Sequence, residues 1–107
     1  MTKKSILLIE DDEKLAHMIS MRIKKEIPDV VIELVGDGIS ASQAAEFNKY
    51  DLIITDLQLP RKDGIAVIKR VKFSKYNQDT PLLVVTGFPN ESLMREFAPI
   101  YVIEKPF

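Results

Sequence analysis

The chain has 107 residues, the size of a single domain, and this length excludes two complete domains. Fifteen Lys and Arg residues against sixteen Asp and Glu residues leave a net charge of −1, which argues against a general binder of nucleic acid or anionic membranes. The absence of cysteine excludes a disulfide framework and a thiolate zinc site, and no apolar run approaches the ~20 residues of a membrane helix, so we expect a soluble cytoplasmic protein.

Short apolar runs alternate with helical patterns along the whole chain. The sequence predicts strands at residues 6–9, 30–35, 52–55, 82–86 and 100–103. Helices are predicted between them, at residues 15–27, 40–47, 65–75 and 89–98. Strands that are apolar throughout are typical of a parallel sheet that helices cover on both faces. The alternation therefore predicts a doubly wound parallel α/β sheet with right-handed crossovers.

Chemically active side chains follow the strands of this predicted sheet. Ligands bind beyond the carboxyl ends of the strands in open parallel sheets. The residues at the five ends, in chain order, are Glu10-Asp11-Asp12-Glu13, Gly36-Asp37, Asp56, Thr86-Gly87 and Lys105-Pro106. Because these ends meet at one edge, we expect the carboxylates, the hydroxyl and the ammonium group to face one crevice.

This set of side chains suits phosphoryl transfer to a carboxylate. Crowded carboxylates repel one another unless a cation joins them, and hard oxygen ligands favour Mg²⁺. A carboxylate beside bound Mg²⁺ can attack phosphorus and form an acyl phosphate. Lys105 and Mg²⁺ would supply the positive charge that phosphoryl transfer needs, and the Thr86 hydroxyl would supply a hydrogen bond. The set contains no general base for attack by water.

Each of these residues, taken alone, also has a structural interpretation. A carboxylate after a strand is most often the N-cap of the next helix, and Asp11 or Asp12 could cap the first helix. Asp56 alone would be a turn residue, and Lys105 alone would be a solvated surface lysine. His17 lies off the apolar stripe of the first predicted helix, which indicates a surface residue. The functional interpretation depends on the conjunction at successive strand ends.

A basic cluster stands apart from the strand ends. It lies near the end of the third predicted helix and comprises Lys69, Arg70, Lys72 and Lys75. We interpret it as a solvated helix face, with partner binding as the alternative.

Four segments of the chain resemble the receiver domain of two-component response regulators, the chemotaxis-regulator-like family. The matching segments are residues 6–12, 56–64, 84–87 and 105–107, in the family's order. The loop after Asp56, with Pro60 and then Asp63-Gly64, is the most specific of them. The resemblance implies a flavodoxin-like doubly wound sheet of five parallel strands in the order 2-1-3-4-5.

The resemblance implies a Mg²⁺ site around a phosphorylated aspartate. Asp56 would accept the phosphoryl group and also contact the metal. Asp11 would bind Mg²⁺ directly, Glu10 would act through water, and the backbone carbonyl of Gln58 would complete the protein ligands. The acidic run leaves an ambiguity of one residue, because Asp11-Asp12 could replace Glu10-Asp11 as the pair.

The remaining roles that the resemblance implies concern signalling. Thr86 would bind a phosphoryl oxygen, and Lys105 would pair with Asp56 or its phosphate. A sensor histidine kinase or a phosphotransfer protein would donate the phosphoryl group, and an output domain or a downstream protein would respond. Such a receiver is not an enzyme, beyond catalysing its own phosphorylation and dephosphorylation.

The chain departs from the family pattern at two places. Val102 stands where the family usually has an aromatic switch residue, and Tyr101 beside it is expected to face the other side of the sheet. Family members also have one more helix after the Lys-Pro-Phe segment. We therefore expect residues 1–107 to form a receiver that lacks its last helix, with apolar surface exposed on the first and fifth strands. Either the chain is the front part of a longer receiver, or a second copy covers this surface in a homodimer.

Two other functions are consistent with parts of the sequence. A metal-dependent phosphatase with an aspartyl nucleophile would need a second aspartate two residues after Asp56, where this chain has Gln58. An interaction module that retains the acidic pocket but acts without phosphorylation is the other alternative.

Overall fold

The computed structural model describes residues 3–55, 69–71, 73–86 and 100–104. Its strands are β1 (Ser5–Ile9), β2 (Val31–Val35), β3 (Leu52–Thr55), β4 (Leu82–Thr86) and β5 (Ile100–Glu104), with helices α1 (Glu13–Glu26) and α2 (Gly38–Phe47). Residues 69–71 are also helical. All strand pairs are parallel, and the sheet has the order β2-β1-β3-β4-β5. The expected strand order is thus confirmed, whereas the fourth predicted helix lies outside the described residues.

Helices cover both faces of the sheet. On one face, α2 and helical residues 69–71 pack against Leu7, Ile9, Ile53, Leu82 and Val84. On the other face, α1 packs against Ile6, Leu8, Ile54 and Val85. Because successive strand residues point to opposite faces, both faces need apolar side chains, and the strands show no polar alternation. The prediction of a doubly wound sheet is confirmed by these two cores.

Aspartate caps set the start of both helices. Asp12 precedes α1, and its carboxylate accepts hydrogen bonds from the backbone N–H groups of Lys14 and Leu15 at 3.0 and 3.2 Å. Asp37 precedes α2 and accepts from the Ser40 N–H at 2.8 Å. With Asp37 as its cap, α2 begins two residues before the predicted start at residue 40. No helix in the described part of the chain is long and apolar enough to cross a membrane.

The helix that contains residues 69–71 ends earlier than predicted. The Phe73 N–H donates to the Lys69 carbonyl at 3.1 Å, and the Ser74 N–H donates to the Val71 carbonyl at 3.1 Å. From Phe73 to Asp79 the chain forms turns and a bend. The second hydrogen bond spans only three residues, which is typical of a helix end that tightens. The predicted extension to about Lys75 is therefore wrong.

An apolar cavity of about 250 Å³ lies between α1 and the sheet. Its lining is wholly apolar and consists of Ile6, Ile19, Ile23, Ile27, Leu52, Ile54, Leu83 and Val85. The sequence predicts uncovered apolar surface on this face. That prediction concerns the first and fifth strands. In β1, Ile6 and Leu8 are buried, with 4% and 1% of their surface exposed, and the side chains of β5 lie outside the described residues.

A buried asparagine ties the turn before β4 to the segment before β3. Asn77 is fully buried, and its Oδ1 accepts a hydrogen bond from the Tyr50 N–H at 2.9 Å. Its Nδ2 donates to the carbonyls of Ala45 and Asn48 at 2.8 and 2.6 Å. The Thr80 hydroxyl donates to the Tyr50 carbonyl at 3.0 Å. This network satisfies buried backbone groups that neither a helix nor a strand satisfies, and it fixes the entry to β3.

We expect Asn77→Ala to lower the free energy of unfolding by about 3 kcal/mol, because it leaves several buried backbone groups without partners. Urea denaturation measures this loss. The exposed neighbour Asp79 provides the control, and Asp79→Ala should stay within about 0.5 kcal/mol of the parent chain. Equal unfolding midpoints for the two variants would contradict the assigned role.

Tyr50 joins this core to the edge strand β2. Its ring is buried, with 4% of its surface exposed, and its hydroxyl donates a hydrogen bond to Oε2 of Glu33. Burial raises the pKa of the Tyr50 phenol above its usual range, and the Glu33 carboxylate raises this pKa further. The folded state therefore favours the neutral phenol.

Alkaline pH should destabilise the fold through Tyr50. Because its pKa is higher in the folded state than in the unfolded state, the stabilisation is complete below pH about 10 and is lost as the pH rises above that value. Urea midpoints measured from neutral to alkaline pH should fall for the parent chain and fall less for Tyr50→Phe. The variant Tyr76→Phe alters a more exposed tyrosine, so its urea midpoint should fall at alkaline pH as much as that of the parent chain. Parallel curves for the parent chain and Tyr50→Phe would refute this assignment.

Candidate functional site

The carboxyl ends of β1, β2 and β3 lie side by side. Ile9, the last residue of β1, pairs with Val35 of β2 and with Thr55 of β3. Farther along the sheet, Thr86 at the end of β4 pairs with Glu104 at the end of β5. The chain leaves β1 toward β2 on one side and returns to β3 on the other side, so a crevice opens where the strand order reverses. The strands that precede the predicted site residues thus end at one edge, as expected.

Glu10 turns into the protein at this edge. Glu10 is buried, with 6% of its surface exposed. The Glu10 N–H donates to the Val35 carbonyl at 3.0 Å, which continues the pairing of β1 with β2. Its Oε2 accepts a hydrogen bond from the Asp12 N–H at 3.3 Å. The carboxylate of Glu10 is therefore held at the end of β1.

Asp11 and Asp12 have different surroundings although both are exposed. The Asp12 carboxylate caps α1 through two backbone N–H groups. This interaction also places a negative charge at the positive end of the helix dipole. Among the described residues, no hydrogen bond or ion pair engages the Asp11 side chain. Of the two candidates for the helix cap, Asp12 therefore fills that position, and Asp11 lines the cavity described next.

An open cavity of about 950 Å³ lies beside these carboxylates. It is lined by Glu10, Asp11, Glu13, Ala16, His17, Leu34, Val35, Gly36 and Asp37. The carboxylate of Asp37 is engaged by Ser40, whose N–H and hydroxyl donate to it at 2.8 and 3.1 Å. His17 is exposed, in agreement with its prediction as a surface residue. The cavity therefore joins the acidic ends of β1 and β2.

The structure brings together only part of the predicted site. Asp56, Gln58 and Lys105 lie outside the described residues, and only the backbone of Thr86 is described. Thr55 is buried, with 1% of its surface exposed, and directly precedes Asp56. Within the described ranges, no group of three or more His, Cys, Asp or Glu side chains could hold a metal ion. A metal bound by Glu10 and Asp11 would therefore need a ligand from another part of the chain.

Comparison with known protein families shows which family the chain belongs to. The sequence profile of the response regulator receiver domain matches residues 6–107, nearly the whole chain. The chain belongs to this family. Receiver domains are signalling modules of two-component systems, and the resemblance stated from the four sequence segments is confirmed.

Curated relatives of this receiver are longer proteins. The response regulator ArlR of Staphylococcus saprophyticus is 38% identical over 87 residues, which cover 81% of this chain and 36% of ArlR. The transcriptional regulatory protein PdtaR of Mycobacterium tuberculosis is 31% identical over 104 residues, which cover 94% of this chain and 49% of PdtaR. This receiver therefore spans less than half the length of either relative.

A solved receiver structure has the same fold. The receiver domain of the sensor histidine kinase PA1611 from Pseudomonas aeruginosa superposes with a TM-score of 0.80 at 24% identity. The match covers 99% of this chain and 88% of that one. In that structure a magnesium ion is coordinated in the active site cleft. The likeness supports the doubly wound fold of this receiver.

Proposed function

We propose that this receiver accepts a phosphoryl group on Asp56 in the presence of Mg²⁺ and that phosphorylation changes its affinity for a partner. The placement of the acidic residues supports this proposal. Glu10 and Asp11 follow β1, and in the sequence Asp56 comes directly after Thr55, the last residue of the neighbouring strand β3, which pairs with Ile9 of β1. Ligands of open parallel sheets bind beyond such strand ends, which supports a shared site.

The residues present fit a magnesium ion. Asp11, Asp56 and the backbone carbonyl of Gln58 would hold it directly, and Glu10 would hold it through water. All of these donors are oxygen atoms, which Mg²⁺ prefers, and an open crevice leaves room for its waters. The ion would supply positive charge next to the phosphoryl oxygens. The magnesium site of the Pseudomonas aeruginosa receiver supports the assignment.

Asp56 would act as the nucleophile toward a phosphohistidine. One carboxylate oxygen forms a bond to phosphorus, the P–N bond of the donor breaks, and its electron pair returns to the imidazole nitrogen. Thr86 would donate a hydrogen bond to a phosphoryl oxygen, and the Lys105 ammonium would compensate part of the added negative charge. A sensor histidine kinase or a phosphotransfer protein is the proposed donor.

The phosphorylated receiver would then act on an output domain or a downstream protein. Phosphorylation adds roughly −1.5 to −2 charges at neutral pH, by analogy with other phosphorylated side chains. This charge would be added directly after β3, which is the neighbour of β4 in the sheet. A partner that binds only the phosphorylated or only the unphosphorylated receiver would respond to this change in charge.

Incubation with acetyl phosphate tests the proposal. Intact-mass spectrometry of the full chain with Mg²⁺ should show the gain of one phosphoryl group that survives acid and is lost in base, as expected for an acyl phosphate. The gain should disappear in Asp56→Asn and when EDTA removes the metal. A histidine kinase provides a second donor. The proposal fails if neither donor modifies the chain, or if Asp56→Asn is modified equally.

Substitutions in the acidic run should separate the metal ligand from the helix cap. We expect Asp11→Asn to weaken Mg²⁺ binding at least about tenfold, because it removes a charged oxygen ligand. Asp12→Asn should change it little, since asparagine caps helices as well as aspartate does. Asp12→Ala should cost about 1 kcal/mol of stability through loss of the cap. Calorimetric Mg²⁺ titration and urea denaturation measure both effects, and an equal loss of Mg²⁺ affinity in the two Asn variants would reject the assignment.

A further inference from the structure

A cleft separates the second half of α2 from the turn that follows helical residues 69–71. Its volume is about 760 Å³, and its lining consists of Ser42, Glu46, Lys69, Arg70, Phe73, Ser74 and Lys75. We call it the basic cleft. Since α2 leads back to the start of β3, the basic cleft lies toward the edge where the strands begin. It is therefore separate from the crevice at the carboxyl ends.

Positive charge dominates the basic cleft. Lys69, Arg70 and Lys75 line it with exposed side chains, and Glu46 is the acidic residue in its lining. None of the three cations forms a salt bridge within the described part of the chain. The whole chain carries a net charge of −1, so this concentration of positive charge is local. A ligand with several carboxylates would complement it.

An aromatic side chain stands exposed among these charges. Phe73 has 79% of its surface exposed. Its backbone is nevertheless held, because its N–H donates to the Lys69 carbonyl at 3.1 Å and the same turn continues into the buried Asn77. Aromatic and arginine side chains are enriched at protein–protein interfaces and often anchor them. Phe73 beside Arg70 therefore provides an apolar anchor on a fixed turn.

The hydroxyl groups of the basic cleft favour a polypeptide over a phosphate-rich ligand. Ser42 donates its hydroxyl hydrogen to the Gly38 carbonyl at 2.9 Å, and Ser74 donates to the Val71 carbonyl at 2.7 Å. Each hydroxyl oxygen can therefore only accept a further hydrogen bond. A peptide offers N–H donors, whereas the phosphates of a nucleic acid or a lipid surface offer acceptors. Glu46 also repels a uniformly anionic surface.

We propose that the basic cleft binds an acidic segment of another protein. Carboxylates of that segment pair with Lys69 and Arg70, and an apolar side chain between them packs against Phe73. This docking does not involve Asp56, so it operates in addition to the proposed phosphorylation. The basic cluster that the sequence singles out thus forms part of a binding surface, although Lys72 lies outside the described residues.

Fluorescence anisotropy with a designed peptide tests the proposal. The probe is a short fluorescein-labelled peptide in which glutamates flank a pair of leucines, titrated with the full chain. Reversal of two charges in Lys69→Glu/Arg70→Glu should weaken binding at least about tenfold, because attraction becomes repulsion. Lys24→Glu/Lys25→Glu, which reverses two exposed lysines on α1, is the matched control and should change the affinity less than about twofold.

The apolar anchor has its own matched pair of variants. Phe73→Ala should weaken binding about tenfold, as expected for an aromatic anchor. Phe47→Ala, which truncates a residue with 73% exposure outside the cleft lining, should leave the affinity unchanged. Replacement of the two leucines of the probe by serine should abolish the difference between Phe73→Ala and the parent chain.

The remaining outcomes distinguish other ligands and other failures. Duplex DNA and phosphatidylglycerol vesicles serve as competing probes, and binding of either through Lys69 and Arg70 without peptide binding overturns the proposal. Equal peptide binding by both charge-reversal variants also overturns it, because the peptide would then bind through general electrostatic attraction and not at the basic cleft. Phosphorylation of Asp56 should be the same in all of these variants. A failure of the phosphorylation proposal would therefore appear in that assay and not in the peptide titration.

Discussion

Parallel pairing of β1 with two neighbours is the constraint on which the site depends. Ile9 is in register with Val35 on one side and with Thr55 on the other, so the residues that follow these three strands emerge at one level. A register shift of one residue would reverse the faces of a whole strand and move its end away from this common level. The position of the acidic residues after β1 therefore depends on the pairing of β1 with both neighbours.

Three consecutive carboxylates at the end of β1 have three different environments. Glu10 is buried beside the backbone of Asp12, Asp11 is exposed at the cavity, and Asp12 caps α1. Because the Asp12 carboxylate already accepts two backbone hydrogen bonds, its role as the cap is consistent with Glu10 and Asp11 as the proposed metal pair.

The sequence predicts those features that depend on local pattern. Apolar runs and their alternation with helices predict the strands and the doubly wound sheet, and the four family segments predict the family. Long-range contacts are not accessible in this way. The burial of Asn77 depends on its contact with Tyr50, 27 residues away. The cap of α1 is a local contact, but the acidic run offers two adjacent aspartates for it, and only the structure shows that Asp12 is the cap. The exposure of Phe73 contradicts the usual burial of phenylalanine, so composition and periodicity give no signal for it.

The two edges of the sheet have separate structural supports. Capping and strand pairing organise the carboxyl edge, where phosphorylation is proposed. At the opposite edge, Asn77 and Thr80 hold the turn that carries Phe73 against the segment that enters β3. β3 connects the two edges, since Tyr50 lies two residues before its first residue and Asp56 follows its last residue in the sequence. The lining of the basic cleft shares no residue with the cavity at the carboxyl edge, so the proposed docking and the proposed phosphorylation use separate side chains.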